Sequence, residues 1–398
     1  MNSVGIIVEY NPFHNGHLHH LRQSAALTGA QAVIAVMSGH FTQRGEPAVI
    51  SKWERTQMAL AGGADLVVEL PYAFSCQHGD LFAKGAISLL DHLKVSHLVF
   101  GCEGGSLELL KELDLLSCQP HFQARIRHWL KEGRSLPAAR QAALAEAGRE
   151  SDLADLPNNT LGLAYLKALR ETGSDIVPHA LPRLHSSYHD PVPGHASIAS
   201  ATAVRRLREA GQPYHDYVPK TSGDLLDRHL AQTGAFHTWE HYFPFLKLKI
   251  LTLGKARLAG IHDMEEGLES AFYRAALESG SFETFMTAIK SRRYTRTRLQ
   301  RICAHILTGT TKEQISGFSL DSGADSLRIL GFSTQGRQYL NTIKKEVSIP
   351  IFSKFSASAP PILKHELAVT GAYGAILPEP AWSQLCQREY QQPPLLFP

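Results

Sequence analysis

The sequence has few cysteines, and none of them form a close pair. The five cysteines are an odd number and include no Cys-x-x-Cys spacing, which argues against a disulfide framework or a zinc knuckle. No apolar run approaches the length of a membrane-spanning helix, and the first residues have no basic-then-apolar leader. We therefore expect a cytoplasmic protein without membrane contact, and we infer no protein partner.

The sequence also lacks strong charge, internal repeats and low-complexity tracts. A net charge of +3 over 398 residues is too small to identify a partner, so affinity for nucleic acid would need a local basic patch. The hydrophobic content of 43% is sufficient for a substantial core. The length predicts two domains, or one large domain with an extension.

Apolar, β-branched runs alternate with helix-compatible stretches in the first half of the chain. Strands are predicted at 3–9, 31–37, 64–70, 96–101 and 174–181, and helices at 18–27, 51–61, 80–93 and within 120–170. This alternation predicts an α/β fold with a Rossmann-like parallel sheet. In such sheets ligands bind beyond the carboxyl ends of the strands.

A change in pattern near residue 215 predicts two regions. SATAVRRLREAG, residues 200–211, reads as a helix with Ser200 as its N-cap and Gly211 as its stop. We therefore expect a catalytic α/β domain at 1–215 and a mostly helical region at 216–398. The proline-rich tail, residues 375–398, is expected to be irregular.

The stretch YNPFHNGHLHH, residues 10–20, joins the first predicted strand to the first predicted helix. His14 and His17 flank Gly16 at a helix start, where free N–H groups and the helix dipole favour phosphate. Gly16 lacks the Cβ that would block close approach, and imidazoles can donate to phosphate oxygens. A polar turn with incidental histidines is the alternative, but the strand before it and the helix after it favour the phosphate site.

Polar clusters follow other predicted strands. Gln43, Arg44, Gly45 and Lys52 could bind a second anionic group, although a solvated charged loop explains them equally well. In FGCEGG, residues 100–105, a glycine could let a flat ligand lie on the backbone, and a simple turn is nearly as good an explanation.

Three later groups extend the candidate site. In LPNNTLG, Asn158 and Asn159 precede a helix, and capping is the simpler explanation of both. In RLHSSYHD, residues 183–190, a dense polar cluster is hard to explain by packing; it comprises Arg183, Tyr188, His189 and Asp190. In SATAVR, hydroxyl residues at a helix start precede an arginine by one turn, which suits a second phosphate.

A basic stretch lies in the C-terminal half. SRRYTRTRLQR, residues 291–301, has five arginines and no acidic residue. On a helix, Leu299, Ile302 and Ile306 would face the core and most of the arginines would face outward. Such a face suits a polynucleotide backbone, although a solvated basic surface is an equal alternative.

These motifs together resemble a known family. A strand, NPFHNGH, a helix and a later SATAVR are similar to the HxGH nucleotidyltransferase superfamily. The strings GIIVEYNPFHNGHLHH, MSGHFTQRGEPAVISKWERTQMALAGGADLVVELPYAFS, PNNTLGLAYLKAL, YHD and IASATAVR resemble the bacterial tRNA(Met) cytidine acetate ligase family. The similarity continues through RRYTRTRLQRI and RILGFSTQGR, over nearly the whole chain.

The resemblance implies a two-step reaction. ATP, as a substrate accompanied by Mg²⁺, would activate acetate to acetyl-adenylate with release of pyrophosphate. The acetyl group would then pass to the wobble cytidine of elongator tRNA(Met) and form N4-acetylcytidine. A displacement of this kind needs no covalently acylated residue, and we expect no resident metal site.

The resemblance also implies the site residues. His14 and His17 would be catalytic and hold the α-phosphate. The ATP site would comprise Ile7, Val8, Glu9, Tyr10, Asn11, Pro12, Phe13, His14, Asn15, Gly16, His17, Leu18, His19, His20, Gly101, Asn159, Arg183, Ser200, Thr202 and Arg205. Whether Asn158 or Asn159 contacts ATP stays open. The candidate tRNA-binding residues are Arg292, Arg293, Arg296 and Arg298.

Two alternatives belong to different functional classes. An adenylyltransferase that makes a cofactor from a small phosphorylated substrate would share HxGH, but it needs neither the helical extension nor the arginine-rich stretch. A non-catalytic RNA-binding protein would not require His14, His17 and Arg205. Acetate-dependent pyrophosphate exchange and salt-dependent tRNA binding distinguish these possibilities.

Overall fold

The computed structural model describes residues 1–104, 106–148, 156–183 and 198–398, and its centre is a mostly parallel sheet. The strand order is β5-β4-β1-β2-β3-β6-β7, and β8 also pairs with β6. The strands are β1 Ser3–Val8, β2 Ala32–Ser38, β3 Leu66–Leu70, β4 His97–Cys102, β5 Val177–Pro182, β6 Leu327–Ser333, β7 Ile351–Phe352 and β8 Leu395–Phe397. The first five strands pair in parallel, and β6 is antiparallel to β3. The predicted α/β class with a parallel sheet is confirmed.

Helices cover both faces of the sheet. Before β6 they are α1 Asn15–Thr28, α2 Lys52–Ala61, α3 Tyr72–Ser75, α4 Gly79–His92, α5 Leu107–Ser117, α6 Pro120–Lys131, α7 Leu136–Glu146, α8 Pro157–Thr172, α9 Ala201–Glu209, α10 Lys220–Thr233, α11 Trp239–Leu258, α12 Leu268–Glu278, α13 Phe282–Ile289, α14 Arg296–Thr308 and α15 Lys312–Gly317. After β6 they are α16 Thr334–Ile343, α17 Pro361–Gly374 and α18 Ala381–Gln391. In the part of the chain that the structure describes, no helix is long and apolar enough to cross a membrane.

Alternate residues of each strand contribute to different cores, as the period-two geometry of strands requires. In β2, Val33, Ala35 and Met37 pack on one face with α1, α2 and helices of the C-terminal half. Ile34 and Val36 point to the opposite face and pack with α4, α8 and α16. Burial on both faces explains why these strands are continuous apolar runs.

The predicted elements before residue 215 are found where the sequence placed them. All five predicted strands are present, with ends shifted by up to three residues, as is usual for boundaries read from sequence. The Ser200 hydroxyl caps α9 by accepting the N–H of Ala203 at 3.1 Å. Gly211 follows α9 with a φ of 66°, a left-handed conformation that suits glycine.

The C-terminal half contains strands that the sequence analysis did not predict. β6 pairs directly with β3 and so extends the sheet of the N-terminal half. The expectation of an irregular tail is wrong, because α18 and β8 lie within it. Short apolar runs such as LRILGFS do not distinguish a strand from a buried helix by their pattern. The division at residue 215 stays a prediction.

A buried charge network joins the two halves of the chain. Lys52 Nζ lies 2.6 Å from Glu69 Oε1 and 3.0 Å from Glu389 Oε1. The Arg328 guanidinium contacts the same two carboxylates at 3.1 and 2.5 Å. All four side chains are at most 1% exposed. Two cations thus balance two carboxylates, and the network connects α2 and β3 to β6 and α18.

A third buried carboxyl beside this network should make stability depend on pH. Burial and the neighbouring Glu69 raise the pKa of Glu366 from 4.5 to about 8. The folded protein therefore keeps a proton that the unfolded chain loses near pH 4.5. The unfolding free energy should therefore fall as pH rises from 4.5 to about 8. Above the folded-state pKa it should stay at the lower value.

Glu366→Gln mimics the protonated form and should remove this part of the pH dependence. Urea unfolding at pH 5 and pH 8 is the measurement. We expect the variant to gain stability relative to the native protein as pH rises between these values. An unchanged difference in unfolding free energy at both pH values would contradict a protonated Glu366.

Candidate active site

A cavity of about 440 Å³ lies at the carboxyl ends of the central strands. Residues 7–11 at the end of β1, Gly101 of β4 and Leu181–Arg183 at the end of β5 line it. The loop after β2 and the starts of α1 and α9 also line it. Parallel strands bring these sequence-distant segments to one edge, so the position agrees with the expectation for a doubly wound sheet.

His14 is the N-cap of α1. Its Nδ1 accepts the N–H of Gly16 at 3.0 Å, and its own N–H donates to His17 Nδ1 at 3.3 Å. The two imidazoles stack with ring centroids 3.7 Å apart. A Cβ at Gly16 would lie 2.9 Å from the His14 ring, so only glycine fits without displacing the histidine.

This cap determines how His14 can meet a ligand. Burial, aided by Arg183 and Arg205, lowers the pKa of His14 to about 3, so the ring is neutral near pH 7. Burial likewise lowers the pKa of His17 well below its ordinary value. Since Nδ1 of His14 accepts a hydrogen bond, its proton must be on Nε2. His14 therefore presents a neutral N–H donor to the cavity.

Positive charge dominates the cavity. The charged residues among its described lining, histidines aside, are Arg44, Arg183, Arg205, Arg301, Glu9 and Glu46. Arg205 donates to the Asn11 carbonyl at 2.8 Å and to Glu46 at 3.1 Å, which holds its guanidinium at the start of α9. Four cations against two carboxylates suit a polyanion such as a nucleoside triphosphate.

The two adjacent asparagines have different positions. Asn159 is fully buried, and its side chain bonds the backbone N–H and carbonyl of Glu103 at 2.9 and 2.8 Å. Asn158 lines the cavity and donates to the Glu103 carboxylate at 2.6 Å. The same carboxylate accepts from Arg183 at 3.3 Å. Glu103 thus connects both asparagines to an arginine of the cavity.

Comparisons with known proteins agree with this architecture. The family model described as HIGH Nucleotidyl Transferase matches residues 1–388. A tRNA(Met) cytidine acetate ligase of Anoxybacillus flavithermus is 44% identical over 99% of this chain and 100% of its own length. That of Bacillus subtilis is 39% identical over 100% of this chain and 98% of its own.

This chain belongs to the tRNA(Met) cytidine acetate ligase family of HIGH nucleotidyl transferases.

Solved structures of this family have the same fold. Thermotoga maritima TmcAL without ligand aligns with a TM-score of 0.92 at 30% identity, covering 100% of both chains. The same protein bound with alpha-thio ATP aligns with a TM-score of 0.89 at 30% identity, covering 100% of this chain and 99% of its own. That second structure shows that this fold accommodates an ATP analogue in the Thermotoga protein.

Most residues predicted for the ATP site of this family member line the cavity. They are Ile7, Val8, Glu9, Tyr10, Asn11, His14, Gly16, His17, His19, His20, Gly101, Arg183, Ser200, Thr202 and Arg205. The predicted residues outside the lining are Pro12, Phe13, Asn15, Leu18 and Asn159. Phe13 is fully buried in the core, and the Asn15 amide donates to the Asp216 carbonyl at 2.9 Å. Tyr188, His189 and Asp190 lie outside the described residues.

The polar residues that follow β2 lie in two different places. Gln43 and Arg44 line the cavity, whereas their role in binding a second anionic group stays a prediction. Lys52 does not, because it belongs to the buried network with Glu69 and Glu389. A single lysine in a polar stretch carries no signal that it will be buried, since its partners are distant in sequence.

Several lining residues were not predicted. Asn158 was left open, and the others include Glu46, Phe82, Phe100, Thr160, Leu161, Tyr165, Thr297 and Arg301. The aromatic and aliphatic members look like ordinary core positions in the sequence. Thr297 and Arg301 belong to α14, and only the folded chain shows that this helix reaches the cavity.

α14 contacts the cavity loop closely. A Cβ at Gly45 would lie 2.5 Å from the Arg301 backbone nitrogen, and Gly45 has a φ of 75°. The indole N–H of Trp239 in α11 also donates to the Gly45 carbonyl at 3.0 Å. The C-terminal helices therefore pack directly on the loop that carries Gln43, Arg44 and Glu46.

The candidate tRNA-binding arginines are on the surface, but carboxylates accompany most of them. Arg296 forms two bonds with Glu283, at 2.9 and 2.6 Å. Arg293 and Arg298 contact Glu265 at 3.2 and 2.7 Å. Leu299, Ile302 and Ile306 are fully buried, as the helical pattern predicted. The carboxylates come from other segments and reduce the net charge of this face.

Proposed function

We propose that this protein is an ATP-dependent tRNA(Met) cytidine acetate ligase. It activates acetate to acetyl-adenylate and acetylates the wobble cytidine of elongator tRNA(Met), giving N4-acetylcytidine. The observation that carries the proposal is the meeting of capped His14, Gly16 and Arg205 in one cavity at the carboxyl edge of the sheet. Relatives that bear this name match the chain over nearly its full length.

The first step is a displacement at the α-phosphate. An acetate oxygen attacks phosphorus, and pyrophosphate leaves with the bonding electron pair. Such a reaction depends on positioning and on stabilisation of charge on the phosphate oxygens. The neutral Nε2–H of His14, with His17 beside it, would donate to the α-phosphate. Ser200, Thr202 and Arg205 at the start of α9 would hold the outgoing pyrophosphate.

Mg²⁺ would arrive with ATP. Among the described residues, no group of three or more His, Cys, Asp or Glu side chains could hold a metal ion. The ion would then be bound chiefly by the phosphate oxygens and water, as Mg²⁺ commonly is in nucleotide sites. These substrates, ATP and tRNA, also support the proposed cytoplasmic location.

Pyrophosphate exchange tests the first step. Purified protein is incubated with ATP and labelled pyrophosphate, with and without acetate, in the absence of tRNA. Acetate-dependent exchange is the expected result. If exchange occurs neither alone nor with tRNA added, the acetate ligase assignment fails, and a cofactor-type adenylyltransferase with another nucleophile becomes the better hypothesis.

Arg292, Arg293 and Arg296 are proposed to bind the tRNA backbone. Their replacement together by Ala should weaken tRNA binding and leave adenylate formation intact, because they lie outside the cavity. Each lost phosphate contact should reduce the slope of log K against log salt by about 0.7–0.9. Filter binding over a salt series measures both quantities.

A matched triple variant controls for the loss of charge. Arg337, Lys344 and Lys345 are exposed in and just after α16. That helix lies at the opposite edge of the sheet, where Gln335 donates to the Gln31 carbonyl at 3.1 Å. Their replacement by Ala should affect tRNA affinity much less. Equal weakening by both triple variants would contradict a specific surface at α14.

A further inference from the structure

The second half-reaction of the proposed function releases a proton. The exocyclic amine of cytidine attacks the acetyl carbonyl carbon, and a C–N bond forms. The bond from that carbon to the phosphate oxygen breaks, and AMP leaves with the electron pair. The nitrogen must lose one proton to become an amide. Its lone pair is delocalised into the base, so a nearby proton acceptor would accelerate the attack.

The cavity has two carboxylates among its described lining residues. Glu46 forms an ion pair with Arg205, with Oε2 3.1 Å from the guanidinium. Glu9 forms no ion pair within 4.0 Å in the described part of the chain, and its Oε1 accepts the Gln43 N–H at 2.6 Å. Glu9 lines the cavity and is partly exposed, and the described residues offer no donor to its Oε2. Glu9 therefore has one positioned oxygen and one oxygen open to the cavity.

Two histidines of the cavity, His14 and His20, are poor candidates for the same task. The pKa of His14 is lowered to about 3 and that of His20 to about 4, chiefly by burial. Nδ1 of His14 already accepts the Gly16 N–H. A neutral ring with so low a pKa donates a hydrogen bond well but accepts a proton weakly.

Glu9 also lies on the side of the cavity that faces the C-terminal helices. Its Oε1 is bound to the loop of residues 42–46, and Gly45 of that loop packs on the backbone of Arg301 in α14. α14 begins at Arg296, one of the arginines proposed to bind tRNA, and carries Thr297 and Arg301 into the cavity. A nucleotide delivered along α14 would enter beside Glu9.

We propose that Glu9 is the general base of acetyl transfer, with Oε2 taking the proton from the cytidine amine as the C–N bond forms. This role rests on the proposed function and adds to it. Oε1 stays on the Gln43 N–H throughout, so the carboxylate need not move between the two steps.

The surroundings of Glu9 suit this task. Burial raises the pKa of Glu9 above 4.5, which makes its carboxylate a better proton acceptor than an exposed one. The loop after β2 presents Arg44 and Glu46 to it, and α2 presents Arg55. Tyr165 of α8 and the Cys76 thiol also lie close enough to interact electrostatically. The transfer rate should rise with pH as Glu9 loses its proton.

Glu9→Gln tests the proposal by separating the two half-reactions. Gln keeps the oxygen that accepts the Gln43 N–H but cannot take a proton. Acetyl transfer to a transcript of elongator tRNA(Met) is measured in single turnover from preformed acetyl-adenylate. We expect this rate to fall about 100-fold or more, a much larger loss than that of acetate-dependent exchange, to which Glu9 contributes as part of the ATP cavity. The pH-dependent rise of the transfer rate should disappear.

Glu9→Asp provides the matched comparison. It keeps a carboxylate but withdraws it by one methylene, so transfer should be slower than in the native protein and still rise with pH. Equal losses of exchange and transfer in Glu9→Gln would overturn the role as a base and assign Glu9 to nucleotide binding. A native transfer rate or an unchanged pH profile in Glu9→Gln would overturn it too. Absence of both half-reactions in the native protein would instead overturn the proposed function, and the role of Glu9 with it.

Discussion

Replacement of His14 by Ala is expected to abolish acetate-dependent pyrophosphate exchange and to leave tRNA affinity unchanged. The side chain supplies the neutral Nε2–H that would meet the α-phosphate, and its Nδ1 caps α1 through the Gly16 N–H. Removal of one preorganised donor to developing charge typically costs about 100- to 1000-fold in rate. The measurement is exchange with purified protein, alongside tRNA retention on a filter.

His14→Asn separates chemistry from folding. Asn is among the preferred N-cap residues, so its side-chain oxygen can accept the helix N–H that Nδ1 accepts now. His14→Ala should lose about 1 kcal/mol of stability through the missing cap, whereas His14→Asn should keep most of it. Both variants should lack exchange. Native exchange in His14→Asn would remove His14 from the proposed chemistry.

Lys52→Met is expected to destabilise the protein by about 3–5 kcal/mol. It removes one of two cations from a network that is shielded from water, so Glu69 and Glu389 would share Arg328 alone. An uncompensated buried charge is far more costly than the loss of a surface ion pair. A loss of this size is a large part of the 5–15 kcal/mol that is typical of a folded domain.

Urea unfolding measures this loss of stability, and two further variants serve as controls for its cause. Lys84→Met removes a lysine that faces the exposed Asp321 at 3.8 Å, and it should change stability far less. Lys52→Met combined with Glu69→Gln restores charge balance and should be more stable than Lys52→Met alone. If the double variant is the less stable of the two, charge balance does not explain the network.

The same network links the N-terminal half of the chain to the C-terminal half. Lys52 and Glu69 belong to the N-terminal half, and Arg328 and Glu389 belong to the C-terminal half. β6 and β8 also extend the N-terminal sheet. α14, which is proposed to bind tRNA, packs on the cavity loop at Gly45 and reaches into the cavity through Arg301.

Local patterns in the sequence were sufficient for the first five strands and for the residues that line a cavity at their carboxyl ends. The strands were predictable because each is a continuous apolar run, as burial on both faces of a parallel sheet requires. The position of HxGH at the start of α1 was predictable because its strand, glycine and helix are adjacent in the chain. Ser200 and Arg205 were predictable from one helix start.

Only the tertiary structure decided features whose partners are distant in sequence. β6 became a sheet strand because β3 offered an unpaired edge, and Lys52 became a core residue because Glu389 reaches it from α18. Asn158 rather than Asn159 lines the cavity because the Glu103 backbone binds Asn159. The carboxylates that pair with Arg293 and Arg296 belong to Glu265 and Glu283, which lie in other segments of the chain. A sequence determines periodicity and local caps, whereas ion pairs and edge pairing depend on which segments the fold brings together.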